Sequence, residues 1–255
     1  MEFIKSTKNN RVKDWKKLTT KKGHQKDRAY LLDGWHLVKE AIAAEAPVVT
    51  LIGTGDQLAE HGELLPEGVE TVEISLEVAN YLGDTVTPQG IFAVVRIEPA
   101  TLTNAKAAEG VWLFLDHVQD PGNIGTMVRT ADAAGLTGVV FGRGTASQYT
   151  PKVLRAMQGS QFHVQIVEAD LHEWIPAFTN RQLPVYGTKL DPQAKSYRDV
   201  SPMDNGAIVM GNEGNGMADD LLAQTTLNLY IPIKGEAESL NVAVAAGIMM
   251  FQLVQ

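Results

Sequence analysis

The sequence predicts an α/β protein built from two parts in series. Residues 5–96 mix helical stretches with strand-like runs, whereas from Val111 onward short apolar strands alternate with helical segments. Such strands, continuously apolar and separated by helices, are typical of a parallel sheet that is covered on both faces. Residues 98–110 are small, polar and proline-containing, as in a linker. We therefore predict domains at residues 1–97 and 111–255 joined by that linker.

The elements follow from hydrophobic periodicity and residue type. In the first part the predicted helices are residues 9–20 and 35–44, and the predicted strands are residues 48–52, 69–74 and 91–95. In the second part the predicted strands are residues 111–115, 138–141, 164–167, 207–210 and 227–231. Helices are predicted near residues 123–134 and at residues 242–254, and the latter is too short to cross a bilayer and is typical of a buried helix.

The composition excludes several classes of chemistry. The chain of 255 residues has no cysteine, which excludes disulfides, thiolate zinc sites and cysteine nucleophiles. Its six histidines show no metal-ligand spacing, so no metal is expected. No P-loop, no G-x-G-x-x-G after a strand and no G-x-S-x-G elbow occurs. Without a signal-peptide core or a membrane-spanning stretch, we expect a cytoplasmic protein with no membrane partner.

The charge is distributed unevenly. The net charge is −8, yet residues 1–28 hold ten of the 22 basic residues and only three of the 30 acidic ones. This leaves about +7 in that stretch and about −15 in the rest. A local basic surface on an acidic body is compatible with docking to phosphate, although a solvated helix face would have the same composition. The candidate phosphate contacts are Lys13, Lys16, Lys17, Lys21, Lys22 and Arg28.

Polar residues follow the first predicted strand of the second part. Asp120-Pro-Gly supplies a turn, after which Asn123 is a candidate helix cap and Arg129 lies six residues further along that helix. The carboxyl ends of parallel strands are where open α/β sheets bind ligands. On spacing alone, a simple cap and a surface arginine explain the pattern equally well.

Two further polar clusters follow later strands. Gly211-Asn-Glu-Gly-Asn-Gly216 surrounds Glu213 with glycines, which allow the backbone to approach a ligand closely. Ser239-Leu-Asn241 precedes an apolar helix; Ser239 is a candidate cap, whereas a buried Asn241 would need partners that the local sequence does not offer. Each cluster alone is a weak signal.

Taken in order, the three clusters resemble the motifs of the SpoU (TrmH-type) branch of the SPOUT methyltransferases. Asn123 to Arg129 matches the first motif, Gly211 to Gly216 the second, and Ile231-Pro-Ile with Ser239-Leu-Asn-Val the third. The likeness runs from Val111 to the end of the chain. The N-terminal part, at residues 6–13, 21–22 and 30–41, looks like the substrate-binding module of ribosomal-RNA members, which is related to small ribosomal proteins that bind kinked RNA.

The resemblance implies a fold, a cofactor and a set of roles. The fold would be a small α/β RNA-binding domain followed by a parallel-sheet SPOUT domain with a deep trefoil knot, which is otherwise nearly absent from proteins. The family forms homodimers and uses S-adenosylmethionine. The cofactor-binding residues carried over are Gly211, Asn212, Gly216, Ile231, Ile233 and Leu240, and the active-site residues are Asn123, Arg129, Glu213, Ser239 and Asn241.

The implied activity is methyl transfer from S-adenosylmethionine to a ribose 2′-hydroxyl of RNA, ribosomal rather than transfer RNA. Arg129 would hold a neighbouring phosphate and stabilise the developing alkoxide, because a guanidinium rarely gives up its proton. The base that accepts the hydroxyl proton is that phosphate, a water or Glu213. Ser239 and Asn241 would orient the ribose or the arginine. Four alternatives remain open: methylation of transfer RNA, methylation of a base nitrogen, a non-catalytic RNA-binding or assembly factor, and an enzyme acting on a small nucleotide.

Overall fold

The computed structural model describes residues 1–99, 109–189 and 193–254. Two compact units are formed, one by residues 1–99 and 147–162 and the other by residues 100–146 and 163–255. Most of the predicted linker, residues 100–108, lies outside the described residues, so the linker stays a prediction. Residues 147–162, which the sequence places in the second domain, group with the first unit.

The first unit contains a five-stranded mixed sheet. Its elements are β1 (Glu2–Ile4), α1 (Asn10–Lys17), α2 (Lys21–Asp27), β2 (Ala29–Asp33), α3 (Trp35–Ala43), β3 (Val48–Gly53), α4 (Gly55–His61), β4 (Glu70–Ile74), α5 (Leu76–Leu82), β5 (Ile91–Arg96) and α7 (Pro151–Met157). The strand order is β1-β4-β3-β5-β2. Strand β5 runs antiparallel to both neighbours, whereas β1, β4 and β3 run parallel. The buried faces of α1 and α5 cover a core centred on Trp15, Ile52 and Phe92.

The predicted helix at residues 9–20 corresponds to α1, but it ends three residues earlier and is followed by a second helix, α2. Helix α1 ends at Lys17, and the Thr20 hydroxyl accepts a hydrogen bond from the Gly23 N–H to begin α2. A Cβ at Gly23 would lie 2.0 Å from the Lys17 carbonyl oxygen, so only glycine allows the two helices to meet this closely. Helix α2 was not predicted because residues 21–27 have no apolar periodicity.

The second unit contains the predicted parallel sheet, with seven strands. Its elements are β6 (Val111–Leu115), α6 (Pro121–Ala133), β7 (Gly138–Phe141), β8 (Gln165–Glu168), α8 (Leu171–Thr179), β9 (Val185–Thr188), β10 (Lys195–Ser196), β11 (Gly206–Met210), α9 (Asp219–Leu222), β12 (Leu227–Tyr230) and α10 (Val242–Leu253). The strand order is β10-β12-β9-β11-β6-β7-β8, and every pair is parallel. Every residue of β6, β7 and β11 is buried, as their apolar sequences predict.

This sheet brings three chain segments together at one edge. Leu115 pairs with Met210 at the ends of β6 and β11, and β9 lies on the other side of β11. The residues that follow these strands, beginning with Asp116, Gly211 and Lys189, therefore emerge side by side. Strands β9 and β10 and helices α7 to α9 were not predicted from the sequence. Among the described residues, no helix has the length and apolar character needed to cross a membrane.

Candidate active site

The Glu213 carboxylate is the centre of a hydrogen-bonded cluster at this edge. Its Oε1 accepts from the Asp120 N–H at 3.0 Å and from the Asn123 side-chain amide at 3.1 Å. Its Oε2 accepts from the Gln119 N–H at 3.3 Å. The loop after β11 is thereby tied to the loop between β6 and α6, so two of the three sequence motifs meet at one carboxylate.

The pKa of Glu213 reflects these bonds. Partial burial raises the pKa of this carboxyl, but hydrogen bonds from its own backbone, Asn123, Asp120 and Gln119 outweigh burial and hold the pKa below its ordinary value. Glu213 is consequently a carboxylate at neutral pH. A depressed pKa also makes it a weak base, which disfavours Glu213 as the group that removes a proton from a substrate.

Asn123 does not cap the helix, contrary to the prediction. Asp120 is the N-cap of α6, and its Oδ1 accepts from the Asn123 N–H at 2.8 Å. The sequence signal was ambiguous because both residues are good caps and Pro121, which favours the first helical turn, follows Asp120 directly. With the cap supplied by Asp120, the Asn123 side chain is released to bind other groups.

The third motif joins the cluster through Asn241. The Asn241 side-chain amide donates to Asn123 Oδ1 at 2.9 Å, so the bonds run from Glu213 through Asn123 to Asn241. Asn241 is also the N-cap of α10, and its Oδ1 accepts from the N–H groups of Ala243 and Val244. The prediction of Ser239 as the cap is therefore wrong. Asn241 is exposed rather than inside the helix, and its amide has the partners that the sequence alone could not supply.

Glycine is required where the second motif closes. The N–H groups of Asn212 and Gly216 each donate to the carbonyl of the other at 2.9 Å. An added Cβ at Gly211 would lie 2.2 Å from the backbone of Gly216 and Met217, and Gly216 adopts φ +69°. Larger residues are therefore excluded at Gly211 by the loop itself. The Asn212 side chain completes the loop by accepting from the N–H groups of Gly214 and Asn215.

The same loop forms one wall of a cavity of about 590 Å³. The other walls come from the ends of β9 and β12, from the loop before α10 and from α10 itself. All six residues expected to bind the cofactor line this cavity: Gly211, Asn212, Gly216, Ile231, Ile233 and Leu240. Glu213 and Ser239 line it too. Thr188 and Lys189, at the end of the unpredicted strand β9, were missed; the apolar and β-branched run at residues 185–188 is a signal that could have found them.

Arg129 lies apart from the hydrogen-bonded cluster. It is exposed, and within the described parts of the chain its guanidinium has no hydrogen bond or ion pair. Six residues along a helix correspond to a rise of about 9 Å and a rotation of about 240° relative to Asn123. The side chains of Asn123 and Arg129 therefore leave α6 in different directions.

The basic N-terminal residues are not equivalent. Lys16 is half-buried, and its ammonium donates to the carbonyls of Leu82 and Gly83 at the end of α5. Lys17 pairs with Asp14 at 2.7 Å. The exposed Arg28 donates to the Ile97 carbonyl at 3.3 Å. These three groups are engaged within the chain and are weaker candidates for RNA contacts than the remaining three. Those three, Lys13, Lys21 and Lys22, are exposed.

The sequence matches two family models that together span most of the chain. Residues 110–251 match the SpoU rRNA Methylase family, and residues 9–93 match the MRM3-like substrate binding domain. The first match covers more than half of the chain and contains all three motifs. The chain belongs to the SpoU rRNA methylase family.

Individual SpoU relatives are similar along their whole length. The 23S rRNA (guanosine(2553)-2′-O)-methyltransferase RlmP of Bacillus subtilis is 42% identical over 253 residues, covering 99% of both chains. The solved structure of an AdoMet-bound rRNA methyltransferase from Sinorhizobium meliloti matches with a TM-score of 0.87 and 28% identity, covering 99% of this chain and 97% of the other. A putative RNA methyltransferase of the TrmH family from Porphyromonas gingivalis matches with a TM-score of 0.85 and 32% identity, covering 96% and 97%.

Proposed function

We propose that this protein transfers the methyl group of S-adenosylmethionine to a ribose 2′-hydroxyl of 23S ribosomal RNA, at the guanosine that corresponds to the RlmP target. The observation that carries the proposal is the chain of hydrogen bonds from Glu213 through Asn123 to Asn241 beside a large cavity. The likeness to RlmP over 99% of both chains supports the substrate and its position. We propose a cytoplasmic location for this protein, because bacterial ribosomal RNA lies in the cytoplasm and RlmP is a bacterial enzyme.

The cavity fits S-adenosylmethionine in size and chemistry. Its volume lies within the range of about 300–1,000 Å³ that is usual for small-molecule sites. Met210, Leu229 and Ile231 offer apolar surface for the adenine, while Glu213 and Glu238 bring negative charge towards a cationic ligand. When bound, the cofactor supplies a methyl group already activated on a sulfonium, and we expect no metal to be needed.

The residues of this chain align the ribose and stabilise charge. Asn123 and Asn241 are held rigidly by their mutual bond, by Glu213 and by the α10 N–H groups, so that the reacting geometry is fixed before the substrate binds. Alignment of this kind can contribute about 7–11 kcal/mol to lowering a reaction barrier. Arg129 binds the phosphate beside the target through its planar fork and stabilises the developing alkoxide. Because the pKa of Glu213 is depressed, we assign the base to the RNA phosphate or a water.

The active site is completed in a homodimer. Helix α10 is apolar nearly all round, and its Val244 and Phe251 side chains are 52% and 64% exposed. Such a surface is typical of an interface between subunits. Arg129 is exposed and unbonded within the described residues, and we assign it to the active site of the partner subunit. We also propose the deep trefoil knot of the SPOUT fold, which the likeness to SpoU structures supports.

Mapping of ribose methylation tests the activity. Ribosomal RNA from cells with and without the gene is digested and analysed by mass spectrometry, and a methyl group should be missing at one guanosine of 23S RNA in the deletion strain. Purified protein should restore it with S-adenosylmethionine in the presence of EDTA. Methylation that survives deletion at every position, or that appears in transfer RNA, would contradict the proposed substrate.

Mixed dimers test the shared site. Homodimers of Arg129→Ala and of Asn123→Ala should both be inactive. In a mixed dimer, the Arg129→Ala subunit supplies Asn123 and the Asn123→Ala subunit supplies Arg129. One complete site therefore forms, and activity returns. Dimers that stay inactive after mixing would show that each subunit uses its own Arg129.

A further inference from the structure

A second cavity, of about 670 Å³, adjoins the cofactor cavity. The two share Thr188, Lys189, Asn212 and Gly216 as walls, and both lie at the carboxyl edge of the parallel sheet. The second cavity extends to the other side of the Gly211–Gly216 loop, where the β6–α6 loop and the start of α9 enclose it. Most of the residues that line it have polar side chains, and the methyl-transfer site described above leaves it unused.

The feature that sets this cavity apart is the pair formed by Asp116 and His117. The Asp116 carboxylate is only 2% exposed, and its Oδ1 lies 2.5 Å from Nδ1 of His117. Its other oxygen accepts from the Ala218 N–H at 2.8 Å. Because Nδ1 faces the carboxylate, Nε2 is the ring atom left to bind a ligand. Within the described residues Nε2 has no hydrogen-bond partner, and the His117 side chain is 58% exposed.

The backbone is strained to hold this imidazole. His117 has φ +55°, a conformation that costs energy for any residue other than glycine. Room for the ring is provided by Gly144, where a Cβ would overlap the imidazole. The Asn212 side chain donates to the His117 carbonyl at 2.9 Å and so ties this residue to the second motif. The bond to the buried Asp116 carboxylate offsets this strain and fixes the ring at the cavity wall.

We propose that the second cavity binds a nucleotide of the substrate RNA next to the one that is methylated, and that Nε2 of His117 accepts a hydrogen bond from it. This inference rests on the proposed function. An RNA whose target ribose lies at the cofactor cavity must continue past the wall that the two cavities share. The lining amides of Gln119 and Asn215 suit the polar edges of a base. Base N–H groups are donors that such an Nε2 binds.

The variant His117→Gly removes the proposed contact with the RNA. Glycine adopts φ +55° readily and the lost side chain is more than half exposed, so the variant should fold; its melting temperature should be below that of the wild type, because the buried Asp116 carboxylate loses its imidazole partner. For a transcribed 23S RNA fragment containing the target guanosine, KM and the dissociation constant should rise about three- to tenfold, as expected for one lost hydrogen bond. The rate constant kcat and the affinity for S-adenosylmethionine should stay within twofold.

His163→Ala is the matched control, because His163 also contacts a carboxylate, that of Asp132 at 2.9 Å, but does not line either cavity. It should leave KM and the dissociation constant for the RNA, kcat and the affinity for S-adenosylmethionine unchanged. An RNA affinity for His117→Gly equal to that of the wild type would overturn the proposal. A fall in kcat with unchanged KM would also overturn it, because His117 would then act in the chemical step.

Abasic substitutions identify the nucleotide. Removing the base on one side of the target guanosine should weaken binding to the wild type and have no added effect on His117→Gly, whereas additive losses at both neighbours would refute the contact. RNA affinity is measured by filter binding with the demethylated cofactor present, so the result does not depend on turnover. Failure of the proposed function would instead appear as absent methyl transfer or absent cofactor binding in the wild type.

Discussion

Replacing Asn241 separates its structural role from its catalytic one. In the structure this side chain caps α10 through the N–H groups of Ala243 and Val244 and donates to Asn123 Oδ1. Asn241→Ala removes both functions. Asn241→Ser keeps an oxygen that can cap the helix, but it is too short to reach Asn123.

The expected magnitude follows from these contacts. Loss of a helix cap costs about 0.5–2 kcal/mol, and loss of one neutral hydrogen bond costs about 0.5–1.5 kcal/mol. Asn241 is exposed, so the free energy of unfolding should fall by about 1–2 kcal/mol in the alanine variant. For a chain of this size that lowers the melting temperature by about 2–8 °C. The serine variant should recover about half of that loss.

Methyl transfer should respond differently from stability. Without the donor from Asn241, the Asn123 amide is no longer fixed towards Glu213, and both variants should lose at least about tenfold in kcat/KM, as expected when an orienting contact is lost. Stability is measured by urea denaturation and turnover by transfer of a labelled methyl group to a 23S RNA fragment. A serine variant with wild-type turnover would refute the reasoning, because the bond between Asn241 and Asn123 would then be dispensable. An alanine variant as stable as the wild type would refute the capping role.

Three further variants test other parts of the site. The folded-state pKa of Glu213 is depressed, so the stability that this carboxylate contributes is present above its unfolded-state pKa and is lost as pH falls through the folded-state pKa. Glu213→Gln should therefore lose less stability than the wild type between pH 6 and pH 3. Acid titrations followed by circular dichroism measure this difference. Arg129→Lys should bind S-adenosylmethionine normally in calorimetry yet transfer methyl groups poorly, since a point charge does not replace the planar fork, and wild-type turnover would contradict the phosphate role. Neutralising Lys13 and Lys21 together should flatten the salt dependence of RNA binding by up to about 0.7–0.9 per lost phosphate contact, whereas neutralising Lys16, which binds backbone carbonyls, should leave that slope unchanged.

Much of the architecture could be predicted from the sequence because burial leaves a local signature. The strands β6, β7 and β11 are continuously apolar, and the structure buries every residue in them. The three motifs were also visible, since each is a polar cluster directly after an apolar strand. Weaker signals failed: β9 and β10 are short, and residues 21–27 of α2 have no apolar periodicity.

The identity of the caps was decided by tertiary structure. Asp120 and Asn123 are both good N-caps, and so are Ser239 and Asn241, so local preference does not choose within either pair. Formation of the sheet places Glu213 beside the start of α6, where it binds the Asn123 amide. Asn123 in turn offers its oxygen to Asn241. The bonds that join Glu213, Asn123 and Asn241 form together because Asp120 and Asn241 act as the caps.

The chain by itself thus determined the strongly apolar elements, the parallel sheet and the residue types at its carboxyl edge. Which side chains meet there depended on strands that are distant in sequence, because Asp116 and Ala218, or Asn123 and Asn241, come together only when β6, β11 and α10 are packed. The same holds for Lys16. Its sequence position suggests a free charge, but in the folded chain its ammonium donates to the carbonyls at the end of α5. Charge and periodicity are properties of a segment, whereas hydrogen-bond partners are properties of the folded chain.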